Sequence, residues 1–424
     1  MLDRRGFLKG SAAAVAGIAG AGTMSSAVSG CATAPGTVAP RGHFGEAGID
    51  HVVVVMMENR SFDHLCGWLP GADGRQAGLE FVDSNGTSHE THHLTEFSSC
   101  EFADPDHSYH GGRKQYDDGA NDGFLTTAPD TFPIGYYEQA DLPFWGRAAP
   151  EFTMCDNYFA ATMGPTFPNR FYQHRGRSDR WENWLTISSL PTIWDRVQAA
   201  GMEGRYYYSD VPFAALLGVR HALISRTFQQ FEEDCAAGRL PHVAFVDPKL
   251  FLPNFGTSGD YHPPSDIRLG EAFVHRVYEA VTTSPAWERT VLVINFDEWG
   301  GFFDHVAPVE GPDINPNLAL RGFRVPCLVV SPFARRHHVA HGLYDHTSVL
   351  RMIEWGFDLK PLAPRDAQAN NLADVLDLGT PNLDVPHWEM PAFTPTDCSA
   401  QILDSIWKPL GELAGAQGWP VTLP

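Results

Sequence analysis

The sequence predicts an α/β fold, a three-layer α/β/α sandwich around a mainly parallel central sheet, and three observations carry that expectation. The run Val52-Val53-Val54-Val55-Met56-Met57 is apolar without polar alternation, the pattern of a strand covered on both faces. Short apolar segments at 205–208, 242–246, 290–296 and 324–330, each bounded by turn residues, add further strands. Helical patterns alternate with them, and such alternation is how parallel strands are joined.

Taken in order, folding starts near Ile49, immediately before the first strand. The stretch 70–150 is dense in Gly, Pro, Asp, His and aromatic residues but lacks a periodic apolar pattern, and reads as an insertion lying over a site. The clearest helix spans 265–283, where Ser265 and Asp266 offer caps and Phe273, Val274, Val277, Tyr278 and Val281 make one apolar face. A second helix covers 348–355, and the Pro-rich tail after Asp377 is expected to wrap the surface. There is no internal repeat. Residues 48–424 are expected to form a single domain, and 43% hydrophobic content is enough for its core.

Residues 1–30 read as a targeting segment. Asp3-Arg4-Arg5-Gly6-Phe7-Leu8-Lys9 matches the twin-arginine export pattern and precedes a weakly apolar Ala/Gly stretch too diluted for a membrane span. Such export carries folded protein, often with its metal already loaded, to the periplasm, the cell surface or the exterior. Val28-Ser29-Gly30-Cys31 resembles a lipoprotein box with Cys31 as the lipidated residue, while Ala32-Thr33-Ala34 would suit ordinary cleavage. Residues 31–47, rich in Ala, Gly, Pro and Thr, read as a flexible tether. Beyond the leader no stretch approaches the roughly 20 apolar residues of a span. A formal charge of −21 argues against nucleic acid and against unaided docking on an anionic bilayer. Membrane contact is therefore expected only through lipidation or substrate. Cys66, Cys100, Cys155, Cys235, Cys327 and Cys398 could form disulfides in an exported protein, with the pairing left open. Cys327, within an apolar run, reads as a core residue.

Chemistry gathers at strand ends. Glu58-Asn59-Arg60-Ser61-Phe62-Asp63-His64 follows the first strand, and open α/β sheets bind ligands at that edge. Asp297-Glu298 follows the strand at 290–296, with Gly300-Gly301 behind it to let backbone approach a ligand closely. One acidic pair alone could merely cap a turn. Two strand-end sets predict an oxygen-rich site for Mg²⁺, Mn²⁺ or Ca²⁺, with Zn²⁺ or iron open if histidines join.

Gly164-Pro165-Thr166-Phe167-Pro168-Asn169-Arg170 fits the first turn of a helix, where free N–H groups favour anions. Thr166 alone could be an N-cap. Beside a metal its hydroxyl could be held as an alkoxide nucleophile, and Arg170 could pair with a phosphate or orient an acid. His107, His262 and His305 sit in polar runs suited to acid–base work, though most of the 19 histidines should be surface or packed residues. His346 opens a helix and reads as structural or supporting.

Together these stretches resemble the bacterial phosphoesterase family that contains phospholipases C and a secreted acid phosphatase, within the alkaline-phosphatase-like superfamily. The resemblance rests on residues 58–64, 164–170, His262-Pro263-Pro264-Ser265-Asp266-Ile267 and 297–306, in order across about 48–380. It implies an alkaline-phosphatase-like sandwich in which Glu58, Asn59, Asp297 and Glu298 hold a divalent metal with the Thr166 hydroxyl as nucleophile at its edge. It implies that His107 and His262 contact phosphoryl oxygens or the leaving group, and it includes His305 in a motif. Trp299 departs from the family pattern, standing where many members carry a polar residue or His. The additional C-terminal β domains of larger phospholipases C do not follow the region of resemblance.

The expected activity is metal-dependent hydrolysis of a phosphate ester, either a phosphodiester such as a phospholipid head group or a phosphomonoester. Attack by Thr166 would give a phosphothreonine, a histidine would protonate the departing alcohol, and protonated histidines imply an optimum on the acidic side of neutral. A sulfatase is the enzymatic rival, because Thr166-x-Pro168-x-Arg170 is similar to the sulfatase core. Thr is not a substrate for the formylglycine conversion that sulfatases need. An exported binding protein that has lost turnover is the other alternative.

Overall fold

Val52 through Met57 are buried on strand β1 (His51–Met57), so both faces of this strand are covered. The computed structural model describes residues 42–250, 258–396, 398 and 406–421. The leader 1–30, Cys31 and the tether as far as 41 lie outside the described residues.

The other strands of the main sheet are β2 (Thr153–Cys155), β3 (Gly204–Tyr208), β4 (Ser225–Thr227), β5 (Val243–Val246), β6 (Thr290–Phe296), β7 (Cys327–Val330) and β8 (His338–Ala340). Their spatial order is β8-β2-β7-β6-β1-β5-β3-β4. The sheet is mainly parallel, as the alternation of elements predicts, with β7 antiparallel to both of its neighbours. Strand β7 is shorter than the apolar pattern at 324–330 implies. Pro326 cannot donate to a ladder, and the Arg324 side chain enters an ion-pair network instead.

Helices flank the sheet, giving the α/β sandwich. Those that bear on the site are α1 (Phe62–Cys66), α2 (Tyr109–Tyr116), α3 (Thr166–Arg175), α4 (Ile267–Thr282) and α5 (His346–Gly356). Of the two cap residues foreseen for α4, Asp266 accepts from the Arg268 N–H, while the Ser265 hydroxyl bonds Ser258. Helix α5 begins earlier than expected because Asp345 and Ser348 close a reciprocal capping box.

Two segments differ from their sequence reading. Residues 42–47, assigned to the tether, form a helix whose Phe44 is buried edge-on against Trp355 and Phe357. A single aromatic anchor outweighs the Ala/Gly composition there. The stretch 70–150 has short strands and turns, but it also builds a small core of its own in which Phe81, Phe124 and Ile134 pack with Trp299, Phe303 and Phe323. Trp299 donates to Gln115 Oε1 at 2.8 Å, so it ties α2 to the residues that follow β6 and offers no ligand.

The Pro-rich tail runs along α4, accepting from Tyr278 Oη at Pro386 O, 2.7 Å, and bonded from Trp388 O to His275 Nε2, 2.9 Å. Cys100 and Cys398 form a disulfide, and Cys66, Cys155, Cys235 and Cys327 are buried thiols.

Asp345 joins three elements. It caps α5 and accepts from the buried guanidinium groups of Arg321 and Arg365, at 2.7 and 3.2 Å, which hold its pKa below the ordinary carboxylate range against the upward push of burial. Asp345→Ala removes the acid partner of Arg321 and leaves Arg365 with Asp313 at 3.4 Å, and urea unfolding should show a loss of about 3–5 kcal/mol. A loss below about 1 kcal/mol, the worth of a cap alone, would show that the buried pairs contribute little.

Candidate active site

Strands β1 and β6 pair in parallel over seven residues, ending with Met57 opposite Phe296. The next residue of each chain segment therefore leaves the sheet at the same edge, and these are Glu58 and Asp297. The Asp297 N–H still bonds Met57 O at 3.0 Å, whereas the Glu58 N–H turns to Asp260 O at 2.8 Å. Asn59 then adopts a left-handed backbone (φ 60°) and gives its N–H to Asp297 Oδ1 at 3.2 Å. Gly300 and Gly301 make the approach possible. A Cβ on Gly300 would lie 2.3 Å from Asn59 O, and one on Gly301 2.6 Å from Pro105 Cβ. The close contact foreseen for this glycine pair is with the protein's own chain rather than with a ligand.

Helix α3 begins at Thr166, as its sequence pattern predicts, with Pro165 at the N-cap position. The capping alternative for Thr166 is not realised, since its buried Oγ1 has no hydrogen-bond partner. Asn183 Oδ1 accepts the Phe167 N–H at 2.8 Å and fixes this helix end. His346 supports the same region from beneath. Its Nδ1 accepts the Ala161 N–H at 3.0 Å and its Nε2 donates to Phe296 O at 2.9 Å, and burial pushes its pKa down to about 4. A neutral His346 thus pins the segment leading to Thr166 onto the end of β6.

Arg170, one turn into α3, is fully engaged. It bonds Glu58 Oε1 at 3.0 Å, Asp247 Oδ1 at 2.9 Å and Met56 O at 3.3 Å, and lies 3.8 Å from Asp297. Burial alone would lower its pKa, but the surrounding carboxylates outweigh that and raise it. Of the two roles the sequence allows, these contacts are those of orienting the acids. Asp247 follows β5 and was not legible as a site residue.

The sequence-derived metal set has a common signature. Glu58 Oε2, Asn59 Oδ1, Asp297 Oδ2, Glu298 Oε1 and Thr166 Oγ1 are all buried oxygens without a hydrogen-bond partner. Such atoms are costly in a native interior unless something binds them. Burial and mutual repulsion raise Glu58 and Glu298 well above the ordinary range, and burial pushes Asp297 up to about 6. Asp260, whose Oδ2 is also unpartnered, is pushed up by burial to about 8. The group is short of positive charge, and an all-oxygen donor set fits a hard divalent cation.

Among the described residues, two other groups of acidic and histidine ligand atoms lie within 4.8 Å of one another. One of these groups is Asp104, His107 and His262. His107 approaches the carboxylate set directly, with Nε2 3.3 Å from Asn59 Nδ2 and 3.9 Å from Glu298 Oε1. His262 is 5.7 Å from His107 between ring centroids, and burial lowers its pKa. The preceding Tyr261 holds a left-handed φ of 79°, fixed by its hydroxyl on Glu271 and by Arg60 bonding its carbonyl. The sequence missed Asp104, although it stands three residues before His107 in the same polar run.

The other group is Asp63, Asp304 and His305, bound up with Arg324. His305 Nδ1 is 2.5 Å from Asp63 Oδ2 and its Nε2 3.2 Å from Asp73, with no contact to Thr166 or the metal set. Its imidazole ties the start of α1 to the segment after β6.

This arrangement can be set against known proteins. The profile of the phosphoesterase family matches residues 49–360. The chain belongs to the phosphoesterase family. It is 30% identical to non-specific phospholipase C1 of Arabidopsis thaliana over 80% of this chain and 73% of that one. Phospholipase C B of Mycobacterium tuberculosis is 29% identical over 91% and 88%, and non-hemolytic phospholipase C of Pseudomonas aeruginosa 27% over 96% and 68%. Among solved structures, an alkaline phosphatase superfamily protein from Vibrio parahaemolyticus aligns over 88% of this chain and 89% of its own, with TM-score 0.38 and 11% identity. This chain is accordingly a phosphoric ester hydrolase.

A pH dependence follows from the acids. Unfolded carboxylates ionise near about pH 4, while Asp297 and Asp260 hold protons until about 6 and 8 in the fold. The native state then binds more protons than the unfolded one, so stability contributed by these groups is full below about pH 4 and lost as pH rises through 6 to 8. In chelator, the melting temperature should fall across that window. Saturating divalent cation should reverse the fall, by about 2.7 kcal/mol at a hundredfold excess over Kd, and a calorimetric panel of Ca²⁺, Mg²⁺, Mn²⁺, Zn²⁺ and Fe²⁺ identifies the ion. Melting that rises with pH in chelator would contradict the assignment.

Proposed function

We propose that this family member is a metal-dependent, phospholipase C-type hydrolase that works through a phosphothreonine on Thr166. The observation that carries the reading is the set of five buried, unpartnered oxygens from Glu58, Asn59, Asp297, Glu298 and Thr166. A divalent ion held by them would supply Lewis acidity and lower the hydroxyl pKa. The remaining work falls to the chain. Thr166 stands at the first turn of α3, its side chain unencumbered by capping and the N–H of the next residue, Phe167, held by Asn183, so attack needs little reorganisation. Arg170 balances part of the charge on Glu58 and Asp297.

In the first step the Thr166 hydroxyl gives its proton to solvent and its oxygen bonds to phosphorus as the phosphorus–alkoxide bond breaks, and a histidine hands its proton to the departing alcohol. Water then gives a proton back to that histidine as its oxygen bonds to phosphorus, and the Thr166 oxygen–phosphorus bond breaks, releasing the phosphorylated product and restoring the hydroxyl with a proton from solvent. His107 and His262 are the acid candidates beside the carboxylates. Since burial lowers the His262 pKa, its protonated form fades below the usual histidine range and activity is expected to decline towards neutral pH. Diester cleavage is favoured over monoester cleavage by the names of the relatives, which are phospholipases C.

We further propose export by the twin-arginine route, to the periplasm, cell surface or exterior. The Arg4-Arg5 motif supports it, and the Cys100–Cys398 disulfide suits an oxidising compartment. Arg4→Lys with Arg5→Lys should leave the precursor in the cytoplasm on fractionation.

Thr166→Ala is expected to lower turnover of phosphatidylcholine, sphingomyelin and aryl phosphate esters by at least about 10³-fold, while calorimetric cation binding persists. Unchanged hydrolysis would refute the nucleophile. Faster turnover of monoesters than of any diester would shift the substrate class to that of a phosphatase.

A further inference from the structure

Resting on the reading of this site as phospholipase C-type, we propose that the loop beside Thr166 forms a docking surface for a zwitterionic phospholipid bilayer. Trp181 is 40% exposed, Trp184 41% and Ile187 45%, and they are joined by Val219 at 57% and Leu223 at 82%. The two segments meet, because a Cβ on Gly218 would lie 4.0 Å from the Ile187 side chain. Scattered apolar residues on a surface need no explanation, but a joined set containing two tryptophans does.

The scaffold holds these side chains outward. Arg180, itself buried over the Phe171 ring, donates to Trp184 O and to Thr186 O at 2.7 Å, and Arg175 donates to Ser188. The loop backbone is thereby fixed, and the Trp181 and Trp184 rings, 4.6 Å apart in an edge-to-face pair, cannot fold back into the core.

Position relates the surface to the chemistry. Trp181 O is 3.5 Å from where a Gly164 Cβ would stand, and Asn183 Oδ1 bonds the N–H of Phe167, next to the nucleophile. On its other side Trp181 reaches Tyr109, two residues from His107, at 6.5 Å between rings. The apolar surface thus lies beside the segment that leads into α3 and beside Tyr109. A phospholipid phosphate lies at the depth where tryptophan rings settle in a bilayer, so seating these residues would bring phosphorus towards Thr166.

Charge chooses the lipid. Of the cations bordering the patch, Arg220 pairs with Asp195 at 3.0 Å and Arg180 with Asp179 at 2.8 Å, Arg226 bonds the Leu223 and Ser225 carbonyls, and the chain carries −21 overall. That net charge opposes approach to an anionic leaflet, and a zwitterionic surface imposes no such repulsion.

The test uses the full-length protein and sedimentation with pure phosphatidylcholine vesicles. Trp184→Ala with Leu223→Ser, neither of which touches the catalytic groups, should weaken vesicle binding and hydrolysis of bilayer phosphatidylcholine by about tenfold or more. Their kcat/KM on a soluble phosphocholine ester should stay within about twofold, since the reacting groups are unchanged. Leu223→Trp should tighten vesicle binding. The proposal is overturned if the double variant binds vesicles as well as the parent, if the parent prefers anionic vesicles, or if the parent is a dimer that the double variant dissociates. Failure of the catalytic reading would look different, as absent hydrolysis of soluble and bilayer diesters alike while vesicle binding still responds to the substitutions.

Discussion

Three carboxylates are buried near one guanidinium, and much of the active end of the molecule is organised around that imbalance. Glu58, Asp297 and Glu298 are buried, and among the described residues the cation inside hydrogen-bond or ion-pair reach of two of them is Arg170. Arg170 is itself shared with Asp247. Burying like charges together is paid for only when protons or a metal neutralise them. The raised pKa values and the orphaned oxygens are two expressions of the same deficit. An apolar substitute for any one of these acids would relieve the strain on the fold and remove the reason for a cation to enter.

The sheet makes such crowding possible. Adjacent parallel strands β1 and β6, in register to their last residues, deliver acids side by side without any loop having to find its place. Strand β5, on the other flank of β1, adds Asp247 below them. Helix α3 approaches this edge N-terminus first, so Thr166 arrives at the acids before the rest of its helix does, and Arg170, one turn later, reaches beneath them. Thr166 and Arg170 are thus set by a single helical repeat. The His305–Asp63–Arg324–Asp304 network binds the segments that follow the two acid-bearing strands to each other.

Much of this was legible in the sequence because it is local. An unbroken apolar run ending in a polar burst announces β1 with Glu58 and β6 with Asp297, and Thr166 with Pro168 announces the start of α3. What was not legible depends on distant partners. Asp104, Asp247 and Asp260 lie in three separate segments and acquire meaning only from the residues they face. The partner of His305 was likewise hidden, since that histidine lies seven residues past Glu298 in one continuous motif and bonds Asp63. Phe44 carried no periodicity at all, and its helix exists because one ring finds Trp355 and Phe357.

The histidines and the acids belong to different parts of the architecture, and this division bears on specificity. The acids stand on the sheet, where seven paired residues on each strand leave little freedom. His107 comes from the stretch that carries its own small core, and His262 from a segment braced by Tyr261 and Arg60. The disulfide joins these outer parts, since Cys100 lies four residues before Asp104 and Cys398 Sγ lies 3.4 Å from Pro264 O, two residues after His262. Chemistry at phosphorus requires the same cation, nucleophile and charge balance whatever alcohol departs, so it can be left to the rigid sheet. Recognition of the departing group must vary with substrate. Placing His107 and His262 on the outer layer, stapled to the tail, lets that layer change while the buried oxygens of Glu58 and Asp297 stay where the strands put them.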